Sequence, residues 1–293
     1  MSLVAKWIRY NWAKGDKKRD AGLKTPEDIV RVDNISYGRH KMNVLDVYRP
    51  KNVKGKLPVI VSVHGGGWVY GDKELYQHYC MSLAQRGFAV VNFTYRLSPE
   101  HKFPCHLEDT VKVFEWVLAH AKEYEMDAEN IFAVGDSAGG HILSLFCVMC
   151  SNPEYAAKYS FKAPKNFKPK AVALNCGVYD FNFEIQSAGN TLSLMKKYIL
   201  PRKGTEEELQ EISTVNFVTS QFPPCFIMTS NEDFLKEQPK SLMEKLDLAG
   251  VSYVYKFYGD EKTPLGHVFH LDMRNEIGKQ CNDEECAYFR SFM

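Results

Sequence analysis

The residues best suited to chemistry surround one serine, in the run Gly135-Asp136-Ser137-Ala138-Gly139. An apolar stretch typical of a buried strand precedes this run, and a helical pattern follows it. In a G-x-S-x-G turn the serine backbone is strained, so the residues two positions away must be small, and the hydroxyl is exposed at the start of a helix. The run therefore indicates a nucleophile. An N-capping serine in a glycine-rich turn is the structural alternative.

A second glycine-rich run, His64-Gly65-Gly66-Gly67-Trp68, lies directly after another predicted strand, upstream of the serine. Acyl transfer needs N–H donors for the oxyanion of its tetrahedral intermediate. We expect the amides of Gly65 and Gly66, joined by that of Ala138, to form this oxyanion hole. A flexible surface loop is the alternative, although HGGG between a buried strand and an aromatic residue is unusual for such a loop.

A nucleophilic serine needs a base, and the base needs a carboxylate that orients it. In chains whose nucleophilic serine lies in a G-x-S-x-G turn between a strand and a helix, the acid follows the serine, and the histidine follows the acid. Glu232 and Asp233 come directly after a predicted strand, and His267 and His270 come after the last predicted strand. The residues alone leave either acid and either histidine open. A helix-capping aspartate and a solvent-exposed loop histidine are the structural alternatives.

Short β-rich runs alternate with helical patterns along the chain, which is typical of an α/β fold with a mostly parallel sheet. We predict eight strands, of which the first two form an antiparallel pair, at residues 31–37, 43–48, 58–63, 88–94, 130–134, 170–174, 225–229 and 251–257. We predict flanking helices at residues 74–86, 106–121, 137–150, 236–249 and 272–292.

Two segments, residues 1 to about 30 and about 181–221, fall outside this alternation, and the second contains two helix-like pieces, 191–200 and 205–212, that Pro201 separates. A structureless loop as long as the second segment is improbable, and open α/β sheets bind ligands at their carboxyl edge. We therefore predict that both segments form a small cap over that edge. The chain as a whole, residues 1–293, is predicted to be a single domain.

The composition limits the class of protein. With 45% hydrophobic and 25% charged residues, the chain is typical of a globular protein. A net charge of +1 does not favour a nucleic-acid partner. No uncharged apolar run reaches the roughly 18 residues of a membrane span, and no signal-peptide core is present, so we expect a cytoplasmic protein. Because the eight cysteines are irregularly spaced without zinc-like pairs, we expect free thiols and no metal.

Charge is uneven at the N-terminus. Residues 1–25 carry seven Lys and Arg against two Asp, and Trp7, Ile8 and Trp12 lie among them. One interpretation is a basic amphipathic helix on a membrane surface. We favour a peripheral helix that packs its aromatic residues on the main body, because the stretch is short and Gly15 interrupts it.

Five stretches together resemble one known family. The chain is similar to the hormone-sensitive-lipase-like esterases of the α/β-hydrolase superfamily, the bacterial GDSAG type, at HGGGWVYGD (64–72), YRLSPEHKFP (95–104), GDSAGGH (135–141), EDFL (232–235) and GHVF (266–269). The resemblance implies an α/β-hydrolase fold and carboxylic ester substrates. It implies Ser137 as nucleophile, Asp233 as acid and His267 as base, with HGGG as the oxyanion loop. His267 lacks the glycine that often follows it in the family.

These motifs predict a serine carboxylesterase that cuts short acyl esters, acetyl to hexanoyl, without a metal or organic cofactor. Trp68, Tyr179 and Phe181 are the predicted substrate walls, and plain core aromatics are the alternative. The rival functions are an arylformamidase-type amide hydrolase and a non-catalytic ligand-binding relative. The expected order of the three triad residues argues against the latter. A homodimer through an exposed edge strand at residues 251–257 stays open.

Overall fold

The computed structural model describes residues 3–181 and 197–293. In these ranges the strands are β1 (Ile29–Ser36), β2 (Val44–Pro50), β3 (Leu57–Val63), β4 (Ala89–Thr94), β5 (Met126–Asp136), β6 (Val172–Asn175), β7 (Cys225–Ser230) and β8 (Tyr253–Tyr258). They form one sheet of eight strands in the order β1-β2-β4-β3-β5-β6-β7-β8. β2 pairs antiparallel with β1 and β4, and the other neighbours are parallel.

Helices cover both faces of this sheet. They are α1 (Leu3–Asp20), α2 (Lys73–Gln85), α3 (Cys105–His120), α4 (Ala138–Ser151), α5 (Pro153–Ala157), α6 (Glu206–Ile212), α7 (Gln238–Ala249) and α8 (Glu276–Arg290). Side chains of α3, α4 and α7 belong to one apolar cluster, and those of α2 and α8 belong to the other. Because the central strands are buried on both faces, they appear in the sequence as continuous apolar runs. The predicted sheet flanked by helices is confirmed.

The register of the central strands positions the chemistry. Val63 at the end of β3 lies beside Gly135 near the end of β5. The segment that follows β3 and the turn that follows β5 therefore leave the sheet side by side at its carboxyl edge. Sequence spacing predicted both segments but could not show that they are neighbours.

The predicted cap is described in part. α1 is present, and α6 matches the helical piece expected near residues 205–212. The helix expected at residues 191–200 lies mostly outside the described residues, so the cap and the single-domain boundary stay predictions. β8 is an edge strand with Phe257 53% exposed. A dimer through that edge also stays a prediction.

Across the described ranges, no helix is both long and apolar enough to cross a membrane. All eight cysteines are free, as expected. Cys147 and Cys150 form a C-x-x-C pattern on α4. Such a pattern is compatible with a redox pair or with two small core residues. Cys147 is fully buried in the apolar cluster and Cys150 packs against it, as expected for small core residues.

The turn between β5 and α4 generates a stability prediction. A Cβ at Gly139 would lie 2.0 Å from the carbonyl oxygen of Val63, which is backbone and cannot move aside. We expect Gly139→Ala to lower the free energy of unfolding by about 3 kcal/mol, measured by urea denaturation. Gly15→Ala is the control, because a Cβ there meets nothing within 4 Å and should stabilise α1 by about 0.5–1 kcal/mol. Equal urea midpoints for the two variants would contradict this account.

Candidate active site

Ser137 occupies a strained turn. Its φ of 52° and ψ of −120° lie outside the conformations that non-glycine residues prefer, and such strain clusters at functional positions. Its N–H donates to the carbonyl of Asn175 at 2.9 Å, which ties the turn to the end of β6. A Cβ at Gly135 would lie 2.6 Å from the carbonyl oxygen of Gly139. The need for small residues two positions to either side of the serine therefore holds.

The serine opens into a cavity of about 490 Å³ at the carboxyl edge of the sheet. That volume is in the usual range for small-molecule sites. Six segments line the cavity: α1, the loop after β3 with the start of α2, the turn after β5, the segment after β6, the loop after β7 and the loop after β8. Their side chains include Asn11, Trp12, Asp16, Arg19, Trp68, Tyr70, Tyr76, Ser137, Val178, Phe234, Leu235, His267 and Leu271.

His267 lines this cavity and contacts Asp233, which is buried and does not line it. Nδ1 of His267 lies 2.7 Å from Oδ1 of Asp233 and donates to it, since an ionised carboxylate only accepts. The carboxylate also accepts from the Leu235 N–H and from the Thr229 hydroxyl, each at 2.8 Å. Burial by itself would raise the pKa of Asp233, but its bonds to His267 and Leu235 outweigh burial and lower that pKa. Asp233 is thus a buried anion that fixes the imidazole and leaves Nε2 as the basic nitrogen.

The other two candidates are placed elsewhere. The Glu232 side chain is exposed, and its backbone N–H donates to the Leu265 carbonyl at 3.0 Å. His270 is fully buried, and burial lowers its pKa to about 3. Neither ring nitrogen of His270 has a hydrogen-bond partner in the described part of the chain. Of the two acids and two histidines, the structure brings only Asp233 and His267 together.

The Gly65 amide is not free for an oxyanion. It donates to the Tyr76 hydroxyl at 2.8 Å, so its predicted place in the oxyanion hole is wrong in this geometry. Within residues 3–181 and 197–293, the N–H groups of Gly66, Gly67 and Ala138 make no hydrogen bond. The error arises because Tyr76 stands on α2, and sequence spacing cannot show that its hydroxyl reaches back to the loop.

Tyr76 links the oxyanion loop to the aspartate of the serine motif. Its hydroxyl accepts from Gly65 and donates to Oδ2 of Asp136 at 2.7 Å. Burial raises the pKa of Asp136 to about 7, and the hydrogen bond from Tyr76 and the charges of His267 and Arg19 offset only part of this rise. Sequence reasoning assigned no role to either residue.

His64 braces the same loop. Its ring stacks on Tyr95 with centroids 3.9 Å apart, and its Nδ1 lies 2.7 Å from the Gly65 carbonyl. Burial lowers the pKa of His64 to about 4, so the ring is neutral and Nδ1 donates to that carbonyl. Gly66 has a φ of 111°, and a Cβ there would lie 2.1 Å from the Tyr70 carbonyl oxygen. The histidine of HGGG thus has a structural role, because it holds the glycine loop in place.

Of the predicted substrate walls, only Trp68 lines the cavity. Its Nε1 donates to Nδ1 of His141 at 3.2 Å, and Nε2 of His141 donates to the Ile212 carbonyl at 2.8 Å. Phe181 packs behind Trp68, with ring centroids 6.1 Å apart, and Tyr179 is fully buried. The predictions for Tyr179 and Phe181 are therefore wrong, and both are core aromatics. Their segment contributes Val178 to the wall instead.

Sequence reasoning placed residues 1 to about 30 in a cap over this edge of the sheet, but it did not identify which side chains of α1 line the cavity. Trp12 packs edge-on against Tyr70 with ring centroids 5.8 Å apart, and the Tyr70 hydroxyl donates to Asp16 at 2.7 Å. Arg19 donates to Asp16 at 2.9 Å and to the Leu75 carbonyl at 3.0 Å. The only available signal was the unusual mixture of aromatic and charged residues at the N-terminus.

One group among the described residues has the spacing of a metal site. The ligand atoms of Cys176, Asp233 and His267 all lie within 4.8 Å of one another. Burial raises the pKa of the Cys176 thiol well above its usual value, so the thiol stays protonated. As a donor it supports the Asp233 carboxylate and lowers the pKa of that residue further. The group fits a hydrogen-bonded acid and base better than a metal centre.

The comparisons with known proteins agree with this geometry. The family model described as BD-FAE matches residues 45–246. The chain is 30% identical over 234 residues to the probable carboxylic ester hydrolase LipM of Mycobacterium tuberculosis, which covers 76% of this chain and 53% of LipM. It is 29% identical over 248 residues to carboxylesterase NlhH of the same organism, covering 78% of this chain and 75% of NlhH. The chain thus spans about half the length of LipM and 60% of the related esterase LipC.

Solved structures share the fold. Esterase B from Lactobacillus rhamnosis superposes with a TM-score of 0.89 at 24% identity, covering 99% of this chain and 97% of that one. An esterase from Pyrobaculum calidifontis gives a TM-score of 0.78 at 23% identity, covering 99% and 94%. The resemblance to hormone-sensitive-lipase-like esterases is confirmed at the level of the family. The chain belongs to the BD-FAE family of α/β-hydrolases.

Proposed function

We propose that this chain is a serine carboxylesterase that hydrolyses short acyl esters through an acyl-enzyme. The observation that carries the proposal is the 2.7 Å hydrogen bond to Asp233 from His267, which lines the same cavity as the strained Ser137. A base oriented by a buried carboxylate is what activates a weakly nucleophilic hydroxyl. The esterase names of the relatives support the reaction class.

The proposed reaction has two half-reactions. Nε2 of His267 takes the Ser137 proton while Oγ attacks the ester carbonyl, and the ionised Asp233 stabilises the imidazolium. The imidazolium then gives its proton to the departing alcohol oxygen, which leaves the acyl group on Ser137. Water attacks this acyl-enzyme with His267 again as base, which releases the carboxylic acid and restores the serine.

The oxyanion would bind to the amides of Gly66, Gly67 and Ala138. The first two line the same cavity as Ser137, and the third stands at the positive end of α4. Removing one pre-organised donor of this kind costs roughly 3–4 kcal/mol of transition-state stabilisation. We assign Gly65 to a supporting role, because its bond to Tyr76 fixes the loop that presents the next two amides.

Short acyl chains fit this site best. Trp68 is only 3% exposed and is held by His141, so it forms a rigid wall that limits the cavity of about 490 Å³. Structures of esterase B are described as inhibited by C6–C4 and by C4–C4 tributyrin phosphonate compounds. Inhibition of that esterase by these compounds supports acetyl to hexanoyl esters for this chain.

We further propose that α1 acts as part of a cap within one domain. It covers the carboxyl edge of the sheet and lines the cavity through Trp12, Asp16 and Arg19. α6 lies within the second predicted cap segment. The Ile212 carbonyl at its end accepts a hydrogen bond from His141, which in turn accepts one from Trp68.

The proposed nucleophile can be tested by substitution. We expect Ser137→Ala to lower kcat on p-nitrophenyl butyrate by roughly 10⁴–10⁶, and Asp233→Asn to lower it by roughly 10⁴ because the imidazole loses its correct tautomer. Ser252→Ala, an exposed serine before β8, is the control and should leave kcat unchanged. Hydrolysis that survives Ser137→Ala at the parent rate would overturn the mechanism and would favour a different nucleophile, whereas no hydrolysis by the parent would favour the non-catalytic relative.

The substrate range can be tested with a series of p-nitrophenyl esters. Because Trp68 cannot move without breaking its bond to His141, we expect kcat/KM to fall at least about tenfold from butyrate to laurate, with most of the loss beyond hexanoate. N-formylkynurenine is the matched amide substrate. A higher kcat/KM on laurate than on butyrate would refute the short-chain preference. A higher kcat/KM on N-formylkynurenine than on butyrate would favour the amide hydrolase.

The Asp136 carboxyl generates a pH prediction. Its pKa in the folded chain, about 7, exceeds its ordinary 3.8, so its contribution to stability is complete below about pH 4 and is lost as pH rises through 7. Asp136→Asn keeps an acceptor for Tyr76 and removes the titration. We expect the parent to lose on the order of 2 kcal/mol of unfolding free energy relative to this variant between pH 5 and pH 8. The unfolding free energy of both proteins is measured by urea denaturation at each pH. If it varied with pH in the same way for the parent and for Asp136→Asn, Asp136 would not titrate in this range.

A further inference from the structure

The side of α1 that points away from the protein has an unusual composition. At about 100° per residue, six of the side chains that the structure describes on this helix fall within an arc of about 120°. We name this set the outward face of α1, and it consists of Lys6, Trp7, Tyr10, Lys14, Lys17 and Lys18. All six are exposed, with Trp7 at 66% and Tyr10 at 75%. The favoured expectation that the aromatics of this segment pack on the main body is therefore wrong for Trp7 and Tyr10.

The charge of the outward face is uncompensated. In the described ranges, its four lysines make no ion pair, while the acidic residues of the helix face inward. Asp16 and Asp20 both pair with Arg19, at 2.9 Å and 2.7 Å. Because the whole chain carries a net charge of only +1, four unpaired lysines on one helix face are a local concentration and not a reflection of a basic protein.

The helix is firmly held from its other side. Arg9 donates to the carbonyls of Val69 and Ser98 at 2.7 and 2.9 Å and pairs with Glu100 at 2.7 Å. Ile8 is buried in the apolar cluster. The inward contacts are thus already made without Trp7 and Tyr10, so the exposure of these two rings is not a sign of a poorly seated helix.

The outward face adjoins the entrance of the cavity. Asn11 and Trp12 on the same helix line the cavity, and Trp12 is still 44% exposed. A surface that bound the outward face would therefore lie next to the opening through which a substrate reaches Ser137.

We propose that the outward face of α1 docks on an anionic lipid bilayer. Trp and Tyr are favoured at the boundary between headgroups and acyl chains, and each nearby lysine strengthens binding to anionic lipid on the order of fivefold. A second copy of the chain is a poorer occupant, because it would bring four lysines against four more. The docking depends on this face alone and not on the proposed esterase activity.

Vesicle co-sedimentation of the full chain tests the proposal. We expect binding to phosphatidylcholine vesicles with 30% phosphatidylglycerol at 50 mM NaCl, at least tenfold weaker binding to pure phosphatidylcholine, and loss of binding at 500 mM NaCl. Lys14→Gln/Lys17→Gln/Lys18→Gln should weaken binding by roughly 100-fold. Trp7→Ala/Tyr10→Ala should weaken it at least about tenfold. Both variants should keep the parent melting temperature within a few degrees, since all five side chains are exposed.

Matched controls separate this face from general effects of charge and apolar surface. Lys51→Gln/Lys54→Gln/Lys56→Gln removes three exposed lysines from the loop before β3, and Tyr255→Ala/Phe257→Ala removes two exposed rings from β8. Both controls, and Ser137→Ala, should bind vesicles like the parent. No binding of the parent to anionic vesicles would overturn the proposal, as would equal binding by the outward-face variants and the controls. A change of oligomeric state in Trp7→Ala/Tyr10→Ala would assign the face to a second copy instead.

Discussion

The arrangement of this site depends on one close backbone contact, the approach of the turn after β5 to the end of β3. Gly139 packs so tightly against the Val63 carbonyl that no side chain fits between them. At this contact the chain bends, and Ser137 has a strained backbone with a φ of 52°. The bend places the serine hydroxyl beside the HGGG loop. The proposed nucleophile and the proposed oxyanion donors therefore follow the same two paired strands. This pairing fixes the distance between them.

Burial sorts the ionisable groups around this contact. Desolvation keeps His64 and His141 neutral, which makes them fixed hydrogen-bonding clamps for the oxyanion loop and for Trp68. Asp233 is equally buried but receives several donors, so it remains an anion. His267, which is only partly buried, is the histidine that both contacts an anion and opens into the cavity. The proposed acid–base chemistry is therefore assigned to the pair Asp233 and His267.

α1 joins the site to the surface. Its inward side contributes to the cavity wall and is held by Arg9 and Arg19, while its outward side exposes Trp7 and Tyr10 among lysines. One helix therefore has two opposite sets of contacts, one with the sheet edge and one with the surroundings. This explains why its sequence lacks the simple polar and apolar alternation of a peripheral helix.

Local sequence determined the strands, most helix boundaries and the strained turn at Ser137, because these depend on neighbouring residues and on glycine at fixed offsets. It also determined that an acid and a histidine follow the last two strands. The residues alone left Glu232 and His270 open, and the family resemblance pointed to Asp233 and His267. The tertiary structure shows that these two side chains meet, because Glu232 is exposed and His270 is buried without a hydrogen bond to any acid in the described part of the chain. It likewise decided that Tyr76 removes the Gly65 amide from the oxyanion site and that α1 forms a cavity wall. Such contacts join residues far apart along the chain, and only the packing of helices on the sheet brings them within hydrogen-bonding distance.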